Sequence, residues 1–149
     1  LQALWPVCAE LRVKREFRKL NKMIGVNIFF GSLFVITCTV LTYVFRTQIF
    51  AIIAKDITYE VSIWSFIFIA IYFCLRVWCD TYAMLLQSMN YLKILWLMVP
   101  LQAIIGGVSQ WYFSSAYGIN GILIGLIMSF ALTVFWGLPV AYFVKARKV

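Results

Sequence analysis

Two residues of opposite charge stand four apart inside a long apolar run: Arg76 and Asp80, in C-L-R-V-W-C-D-T-Y. At helical spacing they share one face. Steps of three and four extend that face through Ser65, Tyr72, Gln87 and Asn90. A charge held in mid-bilayer costs at least about 2.5 kcal/mol on insertion scales, so such residues turn toward a bundle interior or a wet cavity. Two roles stay open for the pair. It neutralises itself and serves the structure, or it lines a cavity that binds an anionic group or couples to protons. A carboxylate tied to a guanidinium makes a poor freely titrating proton carrier. Arg76 is the sharper candidate, as an anion ligand, because the guanidinium fork matches phosphate geometry.

Other polar residues in apolar runs are weaker signals. Asn27 shares a face with Gly31, Cys38 and Thr42; Gln102 and Gln110 share one with Gly106 and Ser109. Small and hydroxyl residues are common at helix contacts in membranes, so packing is their favoured role. Amides are costlier in lipid, and Asn27, Gln102 and Gln110 join Arg76, Asp80, Tyr72 and Gln87 as cavity candidates. Gly121, Gly125, Ser129, Thr133 and Gly137 recur every four residues and include a G-x-x-x-G match. That stripe is read as helix packing. Pro139 is expected to kink or end its helix.

Several chemistries are excluded. The chain has no histidine, and Cys8, Cys38, Cys74 and Cys79 offer no C-x-x-C spacing, so neither a metal nor a haem site is expected. There is no phosphate-binding G-x-x-x-x-G-K-[ST] loop. One intramembrane acid cannot supply paired-carboxylate hydrolysis. No catalytic residue and no cofactor are assigned, and the chain is not read as an enzyme.

The elements that must carry these residues follow from composition. Of 149 residues 64% are hydrophobic and only 12% charged, with a mean hydropathy of +0.95. Soluble domains carry roughly 25% charged residues. A disordered tail, a soluble enzyme domain and a secreted disulfide scaffold are excluded. A span needs about 20 apolar residues. Four segments meet that test, at about 23–45, 61–89, 94–113 and 119–144. Strand alternation is absent, so the expected class is an all-α bundle of four antiparallel spans joined by short links.

The net charge of +8 is segregated. Arg12, Lys14, Arg15, Arg18, Lys19, Lys22, Lys93, Lys145, Arg147 and Lys148 fall on one side of such a bundle. Arg46 and Lys55 fall on the other. The richer side is expected to be cytoplasmic, with the C-terminus there. Its cations are matched to anionic lipid headgroups rather than to nucleic acid. Residues 1–22 read as the end of a preceding span followed by a basic interfacial helix, and 23–149 as the four-span bundle. The chain opens on Leu1 with no signal-peptide pattern, as though it started inside a longer protein.

Three motifs carry a family resemblance. L-Q-A-L-W-P-V-C-A-E at Leu1–Glu10 resembles the A-L-W-P-x-x-A-E end of a span in the polysaccharide (O-antigen) flippases. These belong to the multidrug/oligosaccharidyl-lipid/polysaccharide exporter superfamily. The matching residues are Ala3, Leu4, Trp5, Pro6, Ala9 and Glu10; Lys14-Arg15-Glu16 stands where the family often has Gly-Asp. L-Q-S-M-N-Y-L-K at Leu86–Lys93 is similar to an L-N-x-x-G-K turn between late spans, without its glycine. Y-G-I-N-G-I-L-I-G at Tyr117–Gly125 is similar to the start of the last span.

The resemblance implies twelve spans in two lobes, of which this chain would be the C-terminal part, from the tail of the eighth span to the twelfth. It implies transfer of an undecaprenyl-pyrophosphate-linked repeat unit from the cytoplasmic to the periplasmic leaflet of the bacterial inner membrane, in lipopolysaccharide or capsule synthesis. Ion-coupled alternating access is implied, with Arg76 as the position onto which pyrophosphate binding is carried. The implied partners are the lipid-linked oligosaccharide, membrane lipids, the N-terminal part of the transporter, and a polysaccharide polymerase and chain-length regulator. A drug or cation exporter of the same superfamily and a small non-transporting four-span accessory protein are the alternatives.

Overall fold

In a computed structural model the described residues are 5–14, 16–53 and 61–146, and all their regular structure is helical. Six elements follow in order: α1 (Trp5–Val13), α2 (Phe17–Val44), α3 (Arg46–Ile53), α4 (Ile63–Ser88), α5 (Lys93–Leu132) and α6 (Val134–Ala146). Three segments are long and apolar enough to cross a membrane: Arg18–Val44, Ile63–Ser88 and Lys93–Lys145. The chain is an all-α membrane helical bundle.

The third segment runs to 53 residues and doubles back on itself. Gly118 sits at φ 56°, ψ −132°, outside the helical region, and reverses the chain between a 93–117 arm and a 119–132 arm. Only glycine adopts that geometry without strain. Past the turn the small-residue stripe meets the first arm. A Cβ on Gly121 would collide with the Phe113 carbonyl, and one on Gly125 would lie 2.6 Å from the Gln110 nitrogen. Ser129 faces Gly106, and Gly137 faces Met98. The paired numbers climb on one arm as they fall on the other, so the arms are antiparallel. The backbones close to a distance no larger residue permits at Gly121 and Gly125.

α4 is the hub, in contact with α1, α2, α5 and α6. Against α2 it is antiparallel. A Cβ on Gly31 would meet Val77 Cγ1 at 2.8 Å, the Asn27 amide donates to Thr81 Oγ1 at 3.0 Å, and Tyr43 packs edge-on to Phe66. Against the returning arm and α6 it is parallel. Ser65 Oγ and Asn120 Oδ1 are 2.6 Å apart, Tyr72 meets Phe130, Trp78 meets Phe135, and Tyr82 meets Tyr142.

Burial is concentrated at one end, where Cys8, Leu20, Ile24, Leu85, Leu86, Met89, Leu138 and Tyr142 form the core. There the Tyr142 hydroxyl reaches Asn21 Oδ1 at 3.4 Å. The same end carries Lys14, Lys19 and Lys22 by the start of α2, Lys93 after the α4–α5 turn, and Lys145 at the end of α6. Arg46 lies at the opposite end, its guanidinium 4.5 Å from the centre of the Tyr43 ring.

Three local features differ from the sequence reading. α1 ends at Val13 and α2 begins at Phe17, so Arg18, Lys19 and Lys22 occupy the first turns of α2 itself. The link after Phe45 is helical over Arg46–Ile53. The last apolar run is interrupted at Thr133 (φ −117°, ψ −85°), and α6 then continues through Pro139. Of the residues weighed above, Leu1–Leu4, Arg15, Lys55, Arg147 and Lys148 lie outside the described residues.

Candidate functional site

α4 is a 26-residue helix, about 39 Å long at 1.5 Å per residue, and Arg76 sits at its midpoint. Its guanidinium is engaged on two sides along the helix. Nη1 donates to the Tyr72 hydroxyl at 3.1 Å, and Nε donates to Asp80 Oδ2 at 3.4 Å. The Tyr72 ring is braced edge-on by Phe130 from the returning arm, at 5.5 Å between centroids. The triad is therefore held on one side by the hairpin. On the other it is open: the Arg76 and Asp80 side chains are 51% and 46% exposed.

The opening runs along a stripe. Phe73, Asp80 and Gln87 are seven apart, with Arg76 beside them, and Phe73, Arg76 and Gln87 are all exposed. A charged pair at the midpoint of a spanning helix cannot rest against hydrocarbon cheaply. The Arg76 fork keeps donor capacity beyond Tyr72 and Asp80, since a guanidinium has five N–H groups. The arrangement can present directional positive donors to a phosphate or carboxylate at the middle of α4, with Asp80 limiting the net charge and fixing the side chain.

The remaining candidates are dispersed. Asn27 is spent on Thr81 in the α2–α4 seam. Gln110 backs onto Gly125, and its Nε2 lies 3.6 Å from the Cβ position of Gly106, inside the hairpin seam. Gln102 lies on the same face of that arm, two turns earlier, and is half-buried. Gln87 stays on the Arg76 stripe, nearer the basic end. Ser65 leaves that stripe and is buried against Asn120. Gly121, Gly125, Ser129 and Gly137 line the hairpin seam. Among the described residues no group of three His, Cys, Asp or Glu side chains could hold a metal.

Phe130, which braces Tyr72, escaped the sequence reading, as did the contacts that Trp78, Thr81 and Asn120 make between helices. Trp78 carried the one available signal, an indole N–H that must find an acceptor when buried. Glu10, in the A-L-W-P-x-x-A-E stretch, is exposed and bound by Lys14 at 2.6 Å. The hydrogen bond and charge of Lys14 hold its carboxyl below the ordinary glutamate value.

A "Putative O-antigen transporter" of Salmonella typhimurium is 73% identical over 148 residues, covering 99% of this chain and 34% of that protein. Along nearly its whole length the chain is similar to a protein named as a putative O-antigen transporter. A "Putative O-antigen transporter" of Salmonella typhi is 60% identical over 149 residues, all of this chain and 34% of that protein. A "Putative O-antigen export protein" of Yersinia pseudotuberculosis is 42% identical over 144 residues, 95% of this chain and 32% of that protein. The chain thus spans about a third of the length of these relatives. No model of a known protein family matches it. No solved structure matches it either.

Proposed function

We propose that this sequence acts as the C-terminal part of a flippase for lipid-linked polysaccharide repeat units, and that the α4 stripe centred on Arg76 faces the transport path. The observation that carries the reading is the placement of the Arg76–Asp80 pair, at mid-helix and on an open face. In this reading 23–45, 61–89, 94–113 and 119–144 each cross the inner membrane, the basic end and the C-terminus are cytoplasmic, and the open face looks toward the rest of the transporter. Its substrate is an undecaprenyl-pyrophosphate-linked oligosaccharide moved to the periplasmic leaflet. Arg76 takes the phosphate oxygens, with Tyr72 and Asp80 as positioning residues. Lobe rocking around a midplane site, driven by an ion gradient, completes the cycle. The relatives' names support polysaccharide export over drug efflux. The pairing of Asp80 with Arg76 does too, because a cation site needs an acid free to receive the cation.

The test uses a full-length transporter carrying this sequence, expressed in cells deleted for their own. Arg76→Ala is expected to lower long-chain surface polysaccharide at least about tenfold while insertion is unchanged, the weight of one charged hydrogen-bonding partner. Arg76→Lys restores it only in part, since a point charge lacks the fork. Unchanged polysaccharide in Arg76→Ala rejects the site. Loss of dye efflux with intact polysaccharide favours the exporter reading.

A further inference from the structure

A second feature lies at the basic end, away from the Arg76 stripe. The α4–α5 turn and the first turn of α5 form a groove of about 490 Å³ lined by Tyr91, Lys93, Ile94, Trp96 and Leu97. Its walls are aromatic and aliphatic, and Trp96 is 79% exposed. Lys145, from the end of α6, holds its ammonium 5.1 Å from the centre of the Tyr91 ring, so two lysines flank one tyrosine.

Neither lysine is paired with a carboxylate among the described residues. Among the described residues the ion pairs are Lys14–Glu10, Lys19–Glu16 and Arg76–Asp80. No Asp or Glu follows Asp80 in the sequence. Of the α2 lysines Lys19 differs on this point, because it is paired with Glu16 at 2.8 Å. Tyrosine and tryptophan at the end of a spanning helix mark headgroup depth. Two uncompensated ammonium groups beside an apolar wall at that depth complement one chemistry: a phosphate with no offsetting cation, attached to acyl chains.

We propose that this groove is a binding site for an anionic phospholipid of the surrounding bilayer. Lys93 and Lys145 take the phosphate, and Ile94, Trp96 and Leu97 take the upper acyl chain. A zwitterionic lipid fits less well, because its own amine competes for the phosphate the lysines need. The site is independent of the substrate reading above and holds whether or not Arg76 contacts cargo.

The experiment purifies the full-length transporter carrying this sequence in detergent at 0.5 M salt and quantifies retained phosphatidylglycerol and phosphatidylethanolamine by mass spectrometry. High salt screens diffuse surface attraction. Lys93→Gln/Lys145→Gln is expected to weaken phosphatidylglycerol retention roughly 25-fold, or about 1 kcal/mol for each direct lysine–phosphate hydrogen bond lost. Lys93→Arg/Lys145→Arg keeps it, since both positive charges remain. Trp96→Ala lowers it with every charge intact. Lys19→Gln/Lys22→Gln changes it by less than about twofold. Equal losses from both lysine pairs would reduce the effect to net charge and overturn the site. So would undiminished retention in Lys93→Gln/Lys145→Gln or Trp96→Ala. Displacement of the retained lipid by a polyprenyl pyrophosphate at equal concentration would assign the groove to cargo instead and also overturn the proposal.

Discussion

The indole nitrogen of Trp78 donates to the carbonyl oxygen of Phe135 at 3.4 Å. That carbonyl lies four residues before Pro139, which has no N–H to give it. Proline is tolerated in spanning helices where a neighbour satisfies the freed backbone group. Here α4 supplies the donor two residues after Arg76. The same helix that carries the charged pair therefore also holds α6 in its course past Pro139.

Trp78→Phe keeps an aromatic ring but removes that donor. It should destabilise the protein by about 1–2 kcal/mol, the cost of a lost hydrogen bond and a bare carbonyl. In a Pro139→Ala background the helix restores its own bond, and the cost should fall below about 0.5 kcal/mol. A double-mutant cycle of thermal unfolding in detergent checks the coupling.

The hairpin gives a matched pair of glycine tests. Gly125→Ala places a methyl 2.6 Å from the Gln110 backbone, whereas Gly107→Ala meets nothing within 4 Å. The first should cost about 1–3 kcal/mol through overpacking. The second should be neutral, or stabilising by up to about 1 kcal/mol from helix propensity. Unfolding midpoints of the two variants decide this.

At the α4–α5 turn Asn90 has φ 51°. Its N–H bonds the Gln87 carbonyl at 2.9 Å and that of Tyr91 bonds the Leu86 carbonyl at 2.9 Å. This is the Schellman pattern, with asparagine in the left-handed position that glycine usually holds. Asn90→Gly should leave stability within about 0.5 kcal/mol, and Asn90→Val should cost about 1–2 kcal/mol. Thermal unfolding again provides the readout.

Much of the fold was legible, for reasons that particular residues show. The run from Val61 to Met89 became α4 over Ile63–Ser88, since length and hydropathy suffice to define a spanning helix. The polar S-S-A-Y-G stretch contains the reversal at Gly118, and the four-residue stripe beyond it lines the seam. The Arg76–Asp80 contact follows from spacing alone. Contacts between helices were not legible. Asn27 finds Thr81 across 54 residues and Ser65 finds Asn120 across 55, because helix rotation and register decide them. The helical course of Arg46–Ile53 was missed because the short F-A-I-I run lies under a polar start and is far below spanning length. The interruption at Thr133 carries no glycine or proline of its own. Its hydroxyl instead bonds the Ser129 carbonyl at 2.5 Å, a pattern that bends helices.

The central claim is that the Arg76 stripe faces water rather than lipid. Phe73 lies on that stripe without taking part in the charged pair, and Phe34 on α2 is 70% exposed among apolar neighbours. The direct measurement is the reactivity of Phe73→Cys and Phe34→Cys toward a charged, membrane-impermeant thiol reagent. It is made in a full-length transporter carrying this sequence with Cys8, Cys38, Cys74 and Cys79 replaced by serine or alanine. The account predicts that Phe73→Cys is labelled at least about tenfold faster than Phe34→Cys, since thiol chemistry needs the thiolate and access to water. Equal, slow labelling at both positions would put the stripe against lipid or packed protein and contradict the account.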